Sequence, residues 1–93
     1  MYYLLTYDVV DNFVERRSPF RSDHLAYARA ANAAGELLLA GAFDPADGAA
    51  LVFKGDDRAV AERFAEKDPY VKAGLVKRWT VRNWTVVVGG DSG

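Results

Sequence analysis

Tyr3, Leu5, Tyr7 and Val9 alternate with Tyr2, Leu4, Thr6 and Asp8. Every odd position is apolar or aromatic, and a period of two predicts a strand with one buried face. The polar stretch Asp11 to Pro19 then reads as a loop. From about Phe20 to Ala34 the chain is rich in alanine, the best helix former. Leu25, Ala28, Ala31 and Asn32 recur at helical spacing, and Gly35 stands where a C′ residue terminates the helix. Ser18, before Pro19, or Ser22 serves as its N-cap.

Leu37 to Phe43 is a continuous apolar run of strand length, and the flanking glycine and proline favour a strand over a short helix. Asp44, Pro45, Ala46, Asp47 and Gly48 are turn residues, and Ala49 to Lys54 returns as the second strand of a hairpin. After Gly55, Asp56 or Asp57 caps a second helix. Ala59, Val60, Arg63, Phe64 and Lys67 share one side of it, and Val60 and Phe64 face the core. Glu62 and Glu66 fall on the wet side. Asp68-Pro69 ends this helix, because proline disfavours a helical conformation in the preceding residue.

A loop over Tyr70 to Leu75 leads into a last strand from about Val76 to Val88. Trp79 and Val81 share one phase, and Trp84, Val86 and Val88 the other. The phase slips near Arg82-Asn83, which predicts a bulge there. The order βαββαβ describes an α+β, ferredoxin-like sandwich: an antiparallel sheet with two helices on one face. The other face is left bare, and a second copy packing sheet to sheet covers it. One domain over residues 1–88 and a frayed tail over residues 89–93 is the expected organisation.

Composition narrows the chemistry. The chain has 93 residues, 51% hydrophobic and 27% charged, an ordinary globular balance. A domain this small leaves much apolar surface uncovered, and oligomerisation buries it. There is no cysteine, which excludes a disulfide scaffold, a thiolate zinc site and a cysteine nucleophile. One histidine cannot build a multi-histidine metal site within a subunit. Formal net charge is −1 with no basic block, which argues against nucleic acid as a partner. The apolar runs are too short to span a bilayer, and the first residues carry no basic n-region, so a cytoplasmic protein without a membrane partner is expected. No glycine-rich phosphate loop or nucleophile elbow occurs, so no nucleotide cofactor and no serine nucleophile are indicated.

Four stretches carry a resemblance. Arg21-Ser22-Asp23-His24-Leu25-Ala26-Tyr27, Gly35 to Phe43, Asp68-Pro69-Tyr70-Val71-Lys72-Ala73-Gly74-Leu75, and Arg82-Asn83-Trp84 are together similar to the motifs of the YCII-related (YciI-like) family. Ala42 departs from the pattern, which has proline after the glycine. The resemblance implies a dimeric α/β barrel. Relatives in that group include lactone isomerases, small monooxygenases, haem-handling proteins and a dehydrochlorinase of hydroxylated aromatics, so fold leaves the reaction open.

The resemblance also implies that His24 and Asp68 are a catalytic acid–base pair. An unperturbed imidazole titrates near ~6.5, and a carboxylate on one ring nitrogen fixes the tautomer and raises the basicity of the other. On residue chemistry alone the ordinary reading is favoured, in which Asp68 caps the second helix's exit or tethers the Asp-Pro turn and His24 is a surface helix residue. Arg21, one helical turn before His24, either binds an anionic substrate group or pairs with Asp68 or Asp8. Tyr7, Tyr27 and Tyr70 can offer a hydroxyl. Tyr70 is the best candidate, and Tyr27 reads as a packing residue. Gly41 either leaves room for a ligand or marks a kink. Trp79 and Trp84 read as core or dimer-interface residues.

The expected function is a cofactor-independent enzyme acting on a small organic substrate by elimination, isomerisation or hydrolysis. The alternative is a non-catalytic homodimer that binds a small-molecule ligand as an accessory protein. Haem binding through His24, by analogy with other proteins of the fold, is a third and weaker reading.

Overall fold

The computed structural model describes residues 1–90. Strand β1 spans Tyr2–Val9, followed by a short helix α1 over Phe13–Arg16 and a 3₁₀ turn over Ser18–Phe20 that runs into helix α2, Arg21–Ala33. Strands β2 (Leu37–Ala42) and β3 (Gly48–Lys54) form a hairpin. Helix α3 (Ala59–Lys67), a one-turn helix α4 (Pro69–Lys72) and strand β4 (Val76–Trp84) complete the chain. The sheet runs β2-β3-β1-β4, with each neighbouring pair antiparallel.

The odd positions of β1 point into the core as their alternation predicts: Tyr3, Leu5, Tyr7 and Val9 are all buried. Across the sheet they stand beside Phe53, Leu51 and Ala49 on β3, and beside Val81 and Trp79 on β4. Helix α3 packs on this face through Val60, Ala61, Phe64 and Ala65, while Arg63 and Lys67, expected on that side, are exposed. Asp57 accepts a hydrogen bond from the Ala59 amide at 2.7 Å and so starts this helix.

Helix α2 sits differently. Ala28 is its one buried residue. Arg21, Leu25, Ala28, Arg29 and Asn32 line its side of the space above the sheet, and Ala40, Ala42 and Ala49 stand on the strands opposite. The small strand residues do not fill the gap between helix and sheet, and a cavity remains there.

Both helix exits that matter for this cavity are closed by the same device. At α2 the Gly35 amide donates to the Asn32 carbonyl and the Glu36 amide to the Ala31 carbonyl, with Gly35 at φ 81°. At α4 the Gly74 amide donates to Val71 and the Leu75 amide to Tyr70, with Gly74 at φ 76°. This is the Schellman pattern, which needs a left-handed residue at C′ and therefore favours glycine.

Four expectations are corrected. The stretch from Asp11 to Pro19 is not a plain loop. Asn12 takes a left-handed conformation that starts α1, and this turns Phe13 inward, where it is buried. Neither Ser18 nor Ser22 caps α2. The 3₁₀ turn feeds the helix directly, with the Arg21 amide donating to the Ser18 carbonyl, so no side-chain cap is made. The segment after Asp68 begins with a helical turn, α4, in place of a loop. Strand β4 ends at Trp84 and holds register with β1 through Arg82 and Asn83. Its irregularity lies at the opposite end, between the Asp8–Arg78 and Val9–Val76 pairs. The phase change in sequence marks the place where Thr85 to Val88 leave the sheet, and Val87 and Val88 are largely exposed.

The second sheet face carries no helix. Pairing places Leu4, Thr6, Val52, Leu39 and Trp84 on it, with Arg78, Arg82 and Asp8 at its margins. Thr6 and Thr80 share a hydrogen bond of 2.8 Å across this face. Of the expected tail, Gly89 and Gly90 adopt positive φ and Gly90 lies against the Tyr2 hydroxyl. Residues 91–93 lie outside the described residues. Among the described residues, no helix is long and apolar enough to cross a membrane.

Candidate active site

The site is built around a carboxylate placed by a local rule. Pro69 disfavours a helical Asp68, and Asp68 is accordingly extended, at φ −62° and ψ 127°. That conformation makes Asp68 the N-cap of α4, with Pro69 at its first position. Asp68 Oδ1 accepts from the Tyr70 amide at 2.9 Å. The same oxygen lies 2.7 Å from His24 Nδ1, and Oδ2 accepts from the Tyr7 hydroxyl at 2.7 Å. The residue is fully buried. Three donors from three elements thus converge on one buried carboxylate, which compensates the cost of removing it from water.

Against an ionised carboxylate, His24 donates through Nδ1. Nε2 is then left as the nitrogen able to take a proton from a ligand. The Tyr7 hydroxyl is pushed well above its ordinary pKa, first by burial, then by the negative charge of Asp68 and the hydrogen bond to it. It therefore remains a donor at every physiological pH.

His24 is held from its face as well as from its edge. The Tyr70 ring stacks on the imidazole at 3.8 Å with 8° between the planes. Phe13 meets Tyr70 edge-on at 5.3 Å, and the Arg17 guanidinium lies 5.3 Å from the centre of the Phe13 ring. The chain Arg17, Phe13, Tyr70, His24 is thus a continuous stack leading from the surface to the imidazole.

The cavity under α2 holds about 420 Å³, the size of a small-molecule site. His24, Arg21, Tyr70 and Gly41 all line it, as does Tyr7. Arg21 forms a salt bridge with neither Asp68 nor Asp8. Asp68 is occupied as described, and Asp8 pairs with Arg78 at 2.7 Å. Gly41 contributes backbone: register puts its side-chain direction on the bare sheet face, where a Cβ would meet nothing within 4 Å. Tyr27 belongs elsewhere, donating to the Phe64 carbonyl at 2.9 Å and stacking on the Phe64 ring at 4.5 Å.

Sequence reasoning missed Phe13, Arg17, Arg29 and Asn32. The i,i+4 pair Phe13–Arg17 and the stripe Arg21, Leu25, Ala28, Arg29, Asn32 along one helix face were the available signals. Asn32 donates to the Leu37 carbonyl at 2.8 Å and ties α2 to the edge strand that forms the opposite cavity wall. Among the described residues no cluster of three histidine, aspartate or glutamate side chains is placed to hold a metal ion.

A four-stranded antiparallel sheet with helices on one face, and a histidine–carboxylate contact on the wall of a small cavity, define an α+β protein of the ferredoxin-like type. The model of the YCII-related domain matches residues 1–85, and the chain belongs to that family. No curated protein matches the chain in a sequence comparison. Among solved structures, it is similar to 5-chloro-2-hydroxyhydroquinone dehydrochlorinase from Burkholderia phenoliruptrix AC1100 in complex with 2,5-dihydroxybenzoquinone. The TM-score is 0.76 at 24% identity, over 90% of this chain and 93% of that one.

Proposed function

We propose that this chain is a cofactor-independent acid–base enzyme for a small organic substrate, working as a cytoplasmic homodimer. The observation that carries this reading is the 2.7 Å contact between His24 Nδ1 and the buried Asp68 carboxylate, on the wall of a cavity of small-molecule size. In this reading Nε2 takes a proton from a C–H or O–H of the substrate. The Asp68 carboxylate keeps the ring oriented and stabilises the imidazolium that forms. Arg21 and Tyr70 stabilise negative charge as it develops on the substrate, and the Gly41 backbone forms the facing wall. The proton is then returned to a departing group or to another atom of the product.

Elimination and isomerisation fit this pattern directly, and hydrolysis fits it when the O–H is that of a water molecule whose oxygen bonds to the substrate as the leaving group departs with the returned proton. In an elimination the base removes hydrogen from one carbon, and the leaving group departs from its neighbour with the bonding electrons. Elimination is also the chemistry named for the structural neighbour. A purely ligand-binding role is the weaker reading, because binding alone does not require a carboxylate buried behind a histidine with every oxygen committed.

The test is a screen of small oxygenated and halogenated ring compounds for turnover, followed by His24→Ala. Turnover is expected to fall by about 10²–10⁴-fold in a variant that keeps its circular dichroism and melting behaviour. Turnover at the wild-type rate in the folded variant would overturn the acid–base reading.

A further inference from the structure

We propose that the cavity receives its substrate already ionised, with an anionic oxygen (a carboxylate or an enolate) seated between Arg17, Arg21 and the Tyr70 hydroxyl. This deepens the acid–base reading and rests on it only for the word substrate. The starting point is an unmet hydrogen bond. The Tyr70 hydroxyl is buried, and no partner for it exists among the described residues. Buried hydroxyls are nearly always bonded. Burial raises its pKa, and the charges of Arg17 and Arg21 pull in the opposite direction. The hydroxyl keeps its proton at neutral pH and is a buried donor on a residue that lines the cavity.

Its charged neighbours cannot answer that need. Arg17 and Arg21 carry donors alone and have no acceptor to offer. Arg21 acts on the hydroxyl oxygen as a charge and as a donor, which leaves the hydroxyl's own proton without an acceptor. Neither arginine forms a salt bridge among the described residues, and no aspartate or glutamate lines the cavity. Two guanidiniums without a salt bridge and one hydroxyl proton without an acceptor therefore belong to the cavity wall on which His24 also stands. Water can accept their hydrogen bonds but cannot balance their charge. An anionic oxygen does both.

The rest of the cavity describes the remainder of the ligand. Leu25, Ala28 and Ala40 form an apolar lining beyond the arginines. Arg29 lies two turns along α2 from Arg21, about 12 Å away. A compact, flat or ring-shaped body fits this stretch, with its ionised group at the His24 end. Arg17 owes its position to Phe13, beneath the guanidinium, and Phe13 is in turn locked against Tyr70.

Benzoate and benzamide test this, since they share a ring and a shape and differ in charge. In an NMR titration of the full chain, benzoate is expected to bind at least about tenfold tighter than benzamide. It should move the signals of Arg17, Arg21 and Tyr70. Arg17→Met and Arg21→Met, both away from the packed core, should each weaken benzoate about tenfold and leave benzamide unchanged. Tyr70→Phe should weaken benzoate several-fold. Equal binding of the two probes, no detectable benzoate binding, or Met variants that bind benzoate like the wild type would each overturn the anion seat.

The same titration in His24→Ala separates this claim from the one it extends. Selective benzoate binding together with wild-type turnover in His24→Ala removes the acid–base reading and leaves the seat standing. Turnover lost in that variant, with no preference for benzoate in the wild type, removes the seat alone.

Discussion

Asp68 binds a helix start, a tyrosine and the imidazole at once, and this arrangement has a consequence at high pH. Tyr7 is protonated in the folded protein well beyond the point where a free tyrosine ionises, because burial and the adjacent carboxylate both oppose a phenolate. Tyr27 and Tyr70 are shifted in the same direction, each chiefly by burial. A group whose folded pKa is raised contributes its full stability below the unfolded pKa, about 10 for tyrosine, and loses it as pH rises further. Stability against urea should therefore be insensitive to these groups at neutral pH and should fall above about pH 10. Tyr7→Phe removes one such proton, so its urea midpoint should decline less steeply over that range. An equally steep decline in the variant would contradict the assignment.

The pairing of Asp68 with His24 was legible only through the family motifs. Neither residue's chemistry nor its distance along the chain distinguishes a pair from a turn residue and a surface histidine. Arg17 was signalled only by its i,i+4 spacing from Phe13. Its role depends on Phe13 being buried, and Phe13 shares with Val14 an otherwise polar stretch too short to show which of the two turns inward.

At the scale of elements, α4 is a complete helical turn written in one short stretch. Asp68 caps it, Pro69 opens it, and Gly74 and Leu75 close it. Because its N-cap is also the site carboxylate, the turn sets the position of Asp68 as well as that of Tyr70. Gly74→Ala forces a side chain into a left-handed backbone and should cost about 1 kcal/mol, lowering the melting temperature by roughly 4–8 °C. Gly41→Ala, at an ordinary φ and with open space for its Cβ, should change it little. Equal losses at the two positions would show that the left-handed cap is not what Gly74 provides.

The long elements were legible because period and composition agree in them. Odd positions of β1, the alanines of α2 and the Val60–Phe64 pair of α3 each gave a clear pattern. The short elements α1 and α4 were not, since four residues hold too little periodicity to register. The end of β4 was misread because Val86 and Val88 have strand-like composition with no partner strand beside them.

The whole molecule places its cavity on one side of the sheet and an uncovered face on the other. Leu4, Leu39, Val52 and Trp84 lie on that bare face, and Leu39 and Trp84 are 71% and 46% exposed. In the proposed homodimer this face is the contact, and Trp84 is its largest anchor. Sedimentation equilibrium should find a dimer, and Trp84→Glu should raise the dissociation constant at least about tenfold. A monomeric wild type, or a variant that associates unchanged, would place the interface elsewhere. The order of the long elements was readable from period and composition, and the bare face followed from the βαββαβ arrangement they imply. The cavity was not, since it arises where one face of α2 stands off the small residues of β2 and β3, a property of the contact and not of either segment.

The most direct test of the central claim is the tautomer of His24 in a long-range ¹H–¹⁵N correlation spectrum, taken where the ring is neutral. As the one histidine in the chain, it gives an unambiguous signal. The structure predicts a protonated Nδ1 and an unprotonated Nε2 in the wild type, with the preference relaxed in Asp68→Asn. A ring protonated at Nε2 in the wild type would mean that Asp68 does not hold the imidazole, and the acid–base account would fall with it.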